Sequence, residues 1–428
     1  MRKIVFSLLV ILAGSGLLHG QTVLKGCISN VPDSISEAKI AFLRGQGLAV
    51  KEVVPLKKGC FDLNWSHEEK GIFIFYIDGS HTFDFVISQG TVEVEGDYNN
   101  LLSAKVNGPG NEEFTAFKTF ISQKPEEEAI RSHLMAIENK DLREFLMPQM
   151  LPFTGSDNVY WLRAHFWDYT NLESATTLIN PFFQKNRELY FDQVLGHDSD
   201  TIIYHLEWLF SQPMHVDVKR TLVSAATYHY ETSKFMGEDE VFVWLVNAFY
   251  KTGFADWVSN EDMVDIKAKA DGLASEIIGN PAPRFEFNTR ANPKYGWKEG
   301  QRIRLDEVKS PITILYFWDS TCGHCKKETP KLKKFYDEYK DKGVEVLTLT
   351  LEAEFDSWNK YITEHELDWI CGYEEDLSRP NFIWYYYIPA TPKKLILDKD
   401  KRIIAKNLDA ETTLRTFIDD YLAGKIKP

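Results

Sequence analysis

The sequence predicts a multidomain protein: a small all-β N-terminal domain over residues 21–108, an all-α middle domain over 109–280 and a C-terminal α/β domain over 281–428. Three observations carry this division. Short apolar runs broken by Gly, Asp, Asn and Ser fill the first stretch, as in a sandwich or barrel. Apolar residues at spacings of three and four, with few strand signals, fill the second. The third holds the apolar run Ile312–Tyr316, which leads through Phe317 and Trp318 towards Cys322-Gly323-His324-Cys325. A chain of 428 residues has ample length for several cores.

Residues 1–20 read as a cleaved signal peptide. Met1-Arg2-Lys3 supplies the charged start, Ile4–Leu12 the apolar stretch, and small residues follow before a cleavage site between Gly20 and Gln21. The apolar stretch is short for a membrane span, and an uncleaved anchor is the other reading. Lys25, close before Cys27, is unsuited to a lipid-attachment signal. Val241–Tyr250, among the longest later apolar runs, is interrupted by Asn247, so no transmembrane segment is expected after signal removal. The mature chain is therefore expected to be soluble and exported. A formal charge of −14 and a pI near 5.4 argue against nucleic acid as a partner, since that binding needs a basic footprint.

Within the β region, Ile40–Leu43, Ile72–Ile77, Phe85–Ile87 and the alternating Thr91–Glu95 are the expected strands. Cys27 and Cys60 each sit in a strand-like segment of this domain. An oxidising compartment allows them to pair, so a Cys27–Cys60 disulfide is expected. Gly108-Pro109-Gly110 closes the region. Helices are then expected over Glu113–Ser122, Glu126–Glu138 and Thr201–Ser211, with a last one marked by Met263, Ile266, Ala270, Leu273 and Ile277. Ser259 with Asp262 caps the start of this last helix and Gly279-Asn280-Pro281 ends it. The aromatic groups at Tyr160-Trp161, His165–Trp167, Tyr228–Tyr230 and Phe242–Trp244 are expected to fill a helical core, the other reading being a groove for an unfolded or cysteine-bearing protein.

The chemistry concentrates at the Cys-x-x-Cys. Leu332, Phe335, Tyr336 and Tyr339 follow at helical spacing, so a helix begins near Cys322. Two intervening residues let both sulfurs meet across its first turn. The unpaired amides and positive end of the helix favour a thiolate on Cys322, the species that attacks disulfides. Zinc is the rival for such a pair, but a structural site usually takes four ligands, and Cys27, Cys60 and Cys371 are each isolated. The histidines show no ligand spacing, and no phosphate-binding or dinucleotide fingerprint is present. No metal and no cofactor are expected.

Several ordered motifs mark out residues 281–428: Pro283 with Phe285 and Phe287, Ile303-Arg304-Leu305, Trp318 before the CGHC, Lys326-Lys327-Glu328-Thr329-Pro330 after it, and Ile388-Pro389-Ala390-Thr391-Pro392 ahead of Lys393–Asp398. Together these resemble the thioredoxin-fold proteins of the TlpA/ResA type, which are exported bacterial thiol–disulfide oxidoreductases. The β region resembles, more loosely, a small domain that precedes thioredoxin-like domains in some exported Gram-negative proteins. The resemblance implies a C-terminal thioredoxin fold with a cis-proline at Pro392, and a place in the periplasm or cell envelope of a Gram-negative bacterium. It also implies a reductase, kept reduced by a membrane thiol electron donor and acting on cysteine-bearing envelope proteins, whereas His324 within the pair stabilises the reduced form and points to the oxidising or exchange direction.

In this reading Cys322 attacks, Cys325 resolves and Glu328, three residues on, relays a proton. Trp318, His324, Thr391 and Pro392 meet the substrate. Pairing of Glu328 with a nearby lysine is the other reading of that carboxylate. Two other functions stand as alternatives. A thiol peroxidase needs Thr where Asp319 stands, and a non-catalytic or copper-binding thioredoxin-fold module needs no turnover.

Overall fold

A computed structural model describes residues 22–44, 47–150, 158–351, 355–376, 378 and 381–426. The expected leader, residues 1–20, lies outside the described residues. Eight strands come first: β1 (Thr22–Ser29), β2 (Glu37–Arg44), β3 (Gly47–Pro55), β4 (Cys60–Trp65), β5 (Gly71–Tyr76), β6 (Thr82–Ile87), β7 (Gly90–Asp97) and β8 (Lys105–Asn107). They form two four-stranded sheets, ordered β4-β1-β7-β8 and β3-β2-β5-β6. Alternation explains the arrangement: Gly71, Phe73 and Phe75 of β5 are its buried positions, and the two phenylalanines share a core with Leu24, Ile40, Phe85 and Val92 from both sheets. Cys27 and Cys60 are register partners across β1 and β4, with Cα atoms 4.0 Å apart and their sulfurs joined in a disulfide.

Nine α-helices follow among the described residues, with short 3-10 and π turns between some of them: α1 (Asn111–Ser122), α2 (Glu127–Ala136), α3 (Lys140–Leu146), α4 (Val159–His165), α5 (Pro181–Leu189), α6 (Ser199–Ser211), α7 (Val216–Glu231), α8 (Asp239–Leu245) and α9 (Asn260–Ala274). Phe166, Trp167, Tyr230 and Phe242 of the aromatic groups are buried, whereas Tyr160 and Tyr228 face solvent. The Ser259 side chain accepts from the amide of Asp262 and caps α9 as its sequence predicts. The helix ends at Ala274, earlier than the apolar spacing through Ile277 indicates, because the next turn carries Glu276 into a fully buried position. Compactness cuts the chain differently from secondary structure. One unit runs to Leu195 and takes in Trp208–Leu222; the other comprises Gly196–Glu207 and Val223 onward.

The second unit holds a seven-stranded sheet built from β9 (Glu286–Thr289), β10 (Gln301–Arg304), β11 (Ile312–Trp318), β12 (Val344–Thr350), β13 (Ile370–Tyr373), β14 (Lys393–Leu397) and β15 (Ile403–Lys406). Its order is β10-β9-β13-β12-β11-β14-β15, with β11, β12 and β13 parallel and β14 antiparallel to β11. Helices α10 (Gly323–Tyr339), α11 (Phe355–Glu364), α12 (Phe382–Tyr385) and α13 (Thr413–Leu422) complete it. Every residue of β11 is buried, which is why it reads as a continuous apolar run rather than an alternating one. Ile314, Tyr316 and Trp318 enter one core, Leu315 and Phe317 another. The strand is thus fixed on both faces and at both edges, and its C-terminal end is a rigid mount. Among the described residues no helix is long and apolar enough to cross a membrane.

Candidate active site

The mount delivers the cysteines through one tight turn. The Asp319 carboxylate accepts from both the amide and the hydroxyl of Thr321, each at 2.6 Å, and the Cys322 amide donates to the Asp319 carbonyl at 3.2 Å. Cys322 is the N-cap of α10, and its carbonyl accepts the first helical bond, from Lys326, at 3.0 Å. Its sulfur therefore sits where the free amides of the first turn point outward. Cys322 is half-buried, Gly323 and His324 are exposed, and Cys325 turns inward to complete burial beside Trp318 and Leu332.

These environments separate the two thiols. Side-chain hydrogen bonding to Thr391 and then to the Cys325 amide hold the Cys322 thiol below its ordinary value, against a smaller effect of desolvation. Burial pushes Cys325 up to about 11, with the Asp319 backbone only partly offsetting it. At neutral pH the exposed sulfur is the better source of thiolate and the buried one is a thiol. The remaining free cysteine, Cys371, lies buried on β13, and desolvation pushes it up to about 12.

The segment ahead of β14 supplies the facing wall. The Thr391–Pro392 peptide bond is cis, and the Cys322 thiol donates to the Thr391 carbonyl at 3.5 Å. Thr391 and Pro392 are half-buried and so open to a bound chain. Trp318 is not. Its sequence motif puts it among the substrate-binding residues, but its exposure is 0% and it packs against Tyr316 and Tyr361, so it forms the floor beneath the pair rather than a surface for substrate. Its position as the last residue of a strand buried on both faces is the physical reason.

Glu328 is held by a residue that sequence reasoning did not single out. It forms an ion pair with Lys394, the second residue of β14, whose side chain is 6% exposed. The signal was present: a pair of lysines, Lys393-Lys394, opens an otherwise apolar strand, and a lysine buried in a sheet needs a counter-charge. Nearby, the Tyr316 hydroxyl lies 3.1 Å from the Thr329 hydroxyl, and burial first, then the charges of Cys325 and Glu328, raise its ionisation well above the usual range. The described residues contain no group of three or more His, Cys, Asp or Glu side chains placed to hold a metal ion.

Comparison with known proteins agrees with this geometry. Residues 278–419 match the family model described as AhpC/TSA family. Thiol-disulfide oxidoreductase ResA of Bacillus anthracis is 26% identical over 151 residues, which is 35% of this chain and 79% of that protein. ResA of Bacillus thuringiensis subsp. konkukian is 27% identical over the same length, with the same shares covered. The crystal structure of the thioredoxin domain of a thiol-disulfide oxidoreductase from Bacteroides vulgatus is 26% identical, covers 33% of this chain and 97% of that one, and superposes with a TM-score of 0.29. Residues 278–419 thus match the AhpC/TSA family model, and the C-terminal part of the chain is similar to the thiol–disulfide oxidoreductase ResA.

Proposed function

We propose that the protein uses Cys322 and Cys325 to reduce disulfides in cysteine-bearing proteins of the cell envelope, after export and removal of residues 1–20. The observation that carries this reading is the asymmetry of the pair: a half-exposed sulfur held towards thiolate beside a fully buried one held as thiol. In the first step the Cys322 thiolate attacks one sulfur of a substrate disulfide. A Cys322–substrate bond forms, the substrate disulfide breaks, and the departing substrate thiolate takes up a proton from water. Cys325 then loses its proton and attacks Cys322, releasing the second substrate thiolate and leaving a Cys322–Cys325 disulfide. Two electrons pass from the pair to the substrate, and a membrane dithiol donor restores the reduced form.

Each neighbouring residue has a part in this scheme. Thr391 and Pro392 present backbone groups to the extended substrate chain. His324, exposed between the cysteines, meets the substrate at the same rim. Glu328, at i+3 from Cys325, takes the proton that Cys325 must lose, with Lys394 steadying the carboxylate. Residues 21–108 and 109–280 act as a β domain and a helical domain ahead of the redox domain 281–428. The protein works in the periplasm or envelope of a Gram-negative bacterium.

Turnover tests the reading. Reduced full-length protein without its leader, supplied with dithiothreitol as donor, should reduce a disulfide-bonded protein substrate. Cys322→Ser and Cys325→Ser should each lower the steady-state rate to that of dithiothreitol alone. Undiminished rates in either variant would overturn it.

A further inference from the structure

Glu276 lies two residues before the matched region, in the turn after α9, and its exposure is 0%. A carboxylate in such a place is unfavourable unless its oxygens are occupied. Here both are. One accepts from the Tyr387 amide at 2.7 Å, and the other accepts from the Lys393 ammonium. Lys393 also donates to the Tyr387 carbonyl. One side chain thus ties together residues 387 and 393, the two ends of the short loop that carries Thr391 and the cis-proline.

Burial pushes the Glu276 carboxyl up and the Lys393 ammonium down, and each partner's charge opposes the other's shift. Lys406, itself ion-paired with Asp239, also faces the pair, and the Tyr386 hydroxyl senses Glu276. The helix presses on the same loop by shape. A Cβ placed on Gly272 of α9 would lie 2.7 Å from the Cβ of Tyr387, so only glycine allows this approach. The Ser275 hydroxyl adds a bond to the Tyr385 carbonyl at 3.1 Å. At the far side of the loop, the Thr391 carbonyl accepts from the Cys322 thiol, and side-chain hydrogen bonding with Thr391 is the largest of the effects that hold that thiol below its ordinary value.

We propose that Glu276 is a positioning residue: it fixes the Tyr387–Lys393 loop to the end of α9 and thereby keeps Thr391 against Cys322. The inference rests on the reading of Cys322 as the attacking thiol. It makes the end of α9, ahead of the matched region, part of what tunes that thiol.

The test is the pH dependence of Cys322 alkylation in the reduced, full-length protein, using iodoacetamide and mass spectrometry of the Cys322 peptide. Thermal melting confirms that each variant is folded. Glu276→Gln removes the charge that holds Lys393. Gly272→Ala crowds Tyr387 without touching any charge, and alanine favours the helix it sits in. Either change should raise the pH of half-reaction by about half a unit, cutting the reactive thiolate at neutral pH roughly threefold. If Glu276→Gln does not fold, Gly272→Ala decides. Folded variants with the parent's midpoint would overturn the proposal, because a merely structural residue shifts melting and not this midpoint. A parent midpoint at the ordinary 9.0 counts instead against the reading of Cys322.

Discussion

Glu328 on α10 and Lys394 on β14 form an ion pair whose side chains are only 14% and 6% exposed. The pair joins the helix that carries both cysteines to the strand that follows the cis-proline, so it fixes the two walls of the site relative to each other. Removing either partner leaves a nearly buried charge unmatched. Glu328→Gln and Lys394→Met should each destabilise the reduced protein by about 3–5 kcal/mol in urea denaturation. The double variant should lose less than the sum, since it leaves no stranded charge. Additive losses would show that the two residues act separately.

The elevated Cys325 thiol predicts a specific alkaline weakness. Its folded value of about 11 lies above the ordinary 9.0, so the unfolded chain releases this proton first. Stability from this group is complete below pH 9 and is lost as pH rises from about 9 to 11. Two units correspond to roughly 2–3 kcal/mol. Cys371, pushed up to about 12, adds a loss in the same range that is common to any Cys325 variant. The difference in stability between the reduced parent and Cys325→Ser, measured by denaturation at pH 8 and pH 11, should therefore shift in the parent's disfavour. An unchanged difference means that Cys325 is not held as a thiol.

Cys27 and Cys60 close a loop of sequence separation 33 between the paired strands β1 and β4. Constraining an unfolded chain over that length is worth roughly 3–4 kcal/mol. Replacing both cysteines with alanine should lower the stability of the β strands by that order, seen as earlier loss of hydrogen-exchange protection in β1 and β4. Alkylation by iodoacetamide at both positions in the folded, unreduced protein would show instead that the thiols are free.

Trp318→Phe separates floor from surface. Trp318 is fully buried and its indole N–H has no hydrogen-bond partner among the described residues. A substitution that keeps an aromatic ring there should change KM for a disulfide-bonded protein substrate by less than about twofold. A severalfold rise in KM would return Trp318 to the substrate surface.

How much of this was legible in the sequence follows from where each signal is encoded. The redox strand and helix were readable because β11 is apolar at nearly every position and α10 follows with its core residues at helical spacing; both signals are local. The pairing of Cys27 with Cys60 needed only the expectation that both lie on strands of one domain. Trp318 was misplaced because the side a residue faces depends on sheet register, and β11 gives no alternation from which to read it. Lys394 and Glu276 were missed for a different reason. Each is explained by a partner far along the chain, Glu328 at a separation of 66 and Lys393 at 117; the lysine pair that opens β14 signals the need for a counter-charge but not which residue supplies it. The early end of α9 belongs to the same class, since the apolar period continued while a tertiary contact drew Glu276 inward.

The proposal that Cys322 attacks and Cys325 resolves is tested most directly by trapping. Envelope extracts from cells expressing Cys325→Ser or Cys322→Ser in the full chain, run on non-reducing gels with mass spectrometry of the captured bands, compare the two roles in one experiment. Cys325→Ser keeps the favoured thiolate and lacks the thiol that releases it, so mixed disulfides with envelope proteins should accumulate through Cys322. Cys322→Ser, left with a buried thiol pushed up to about 11, should trap none. Equal trapping by both variants, or by neither, would contradict the assignment.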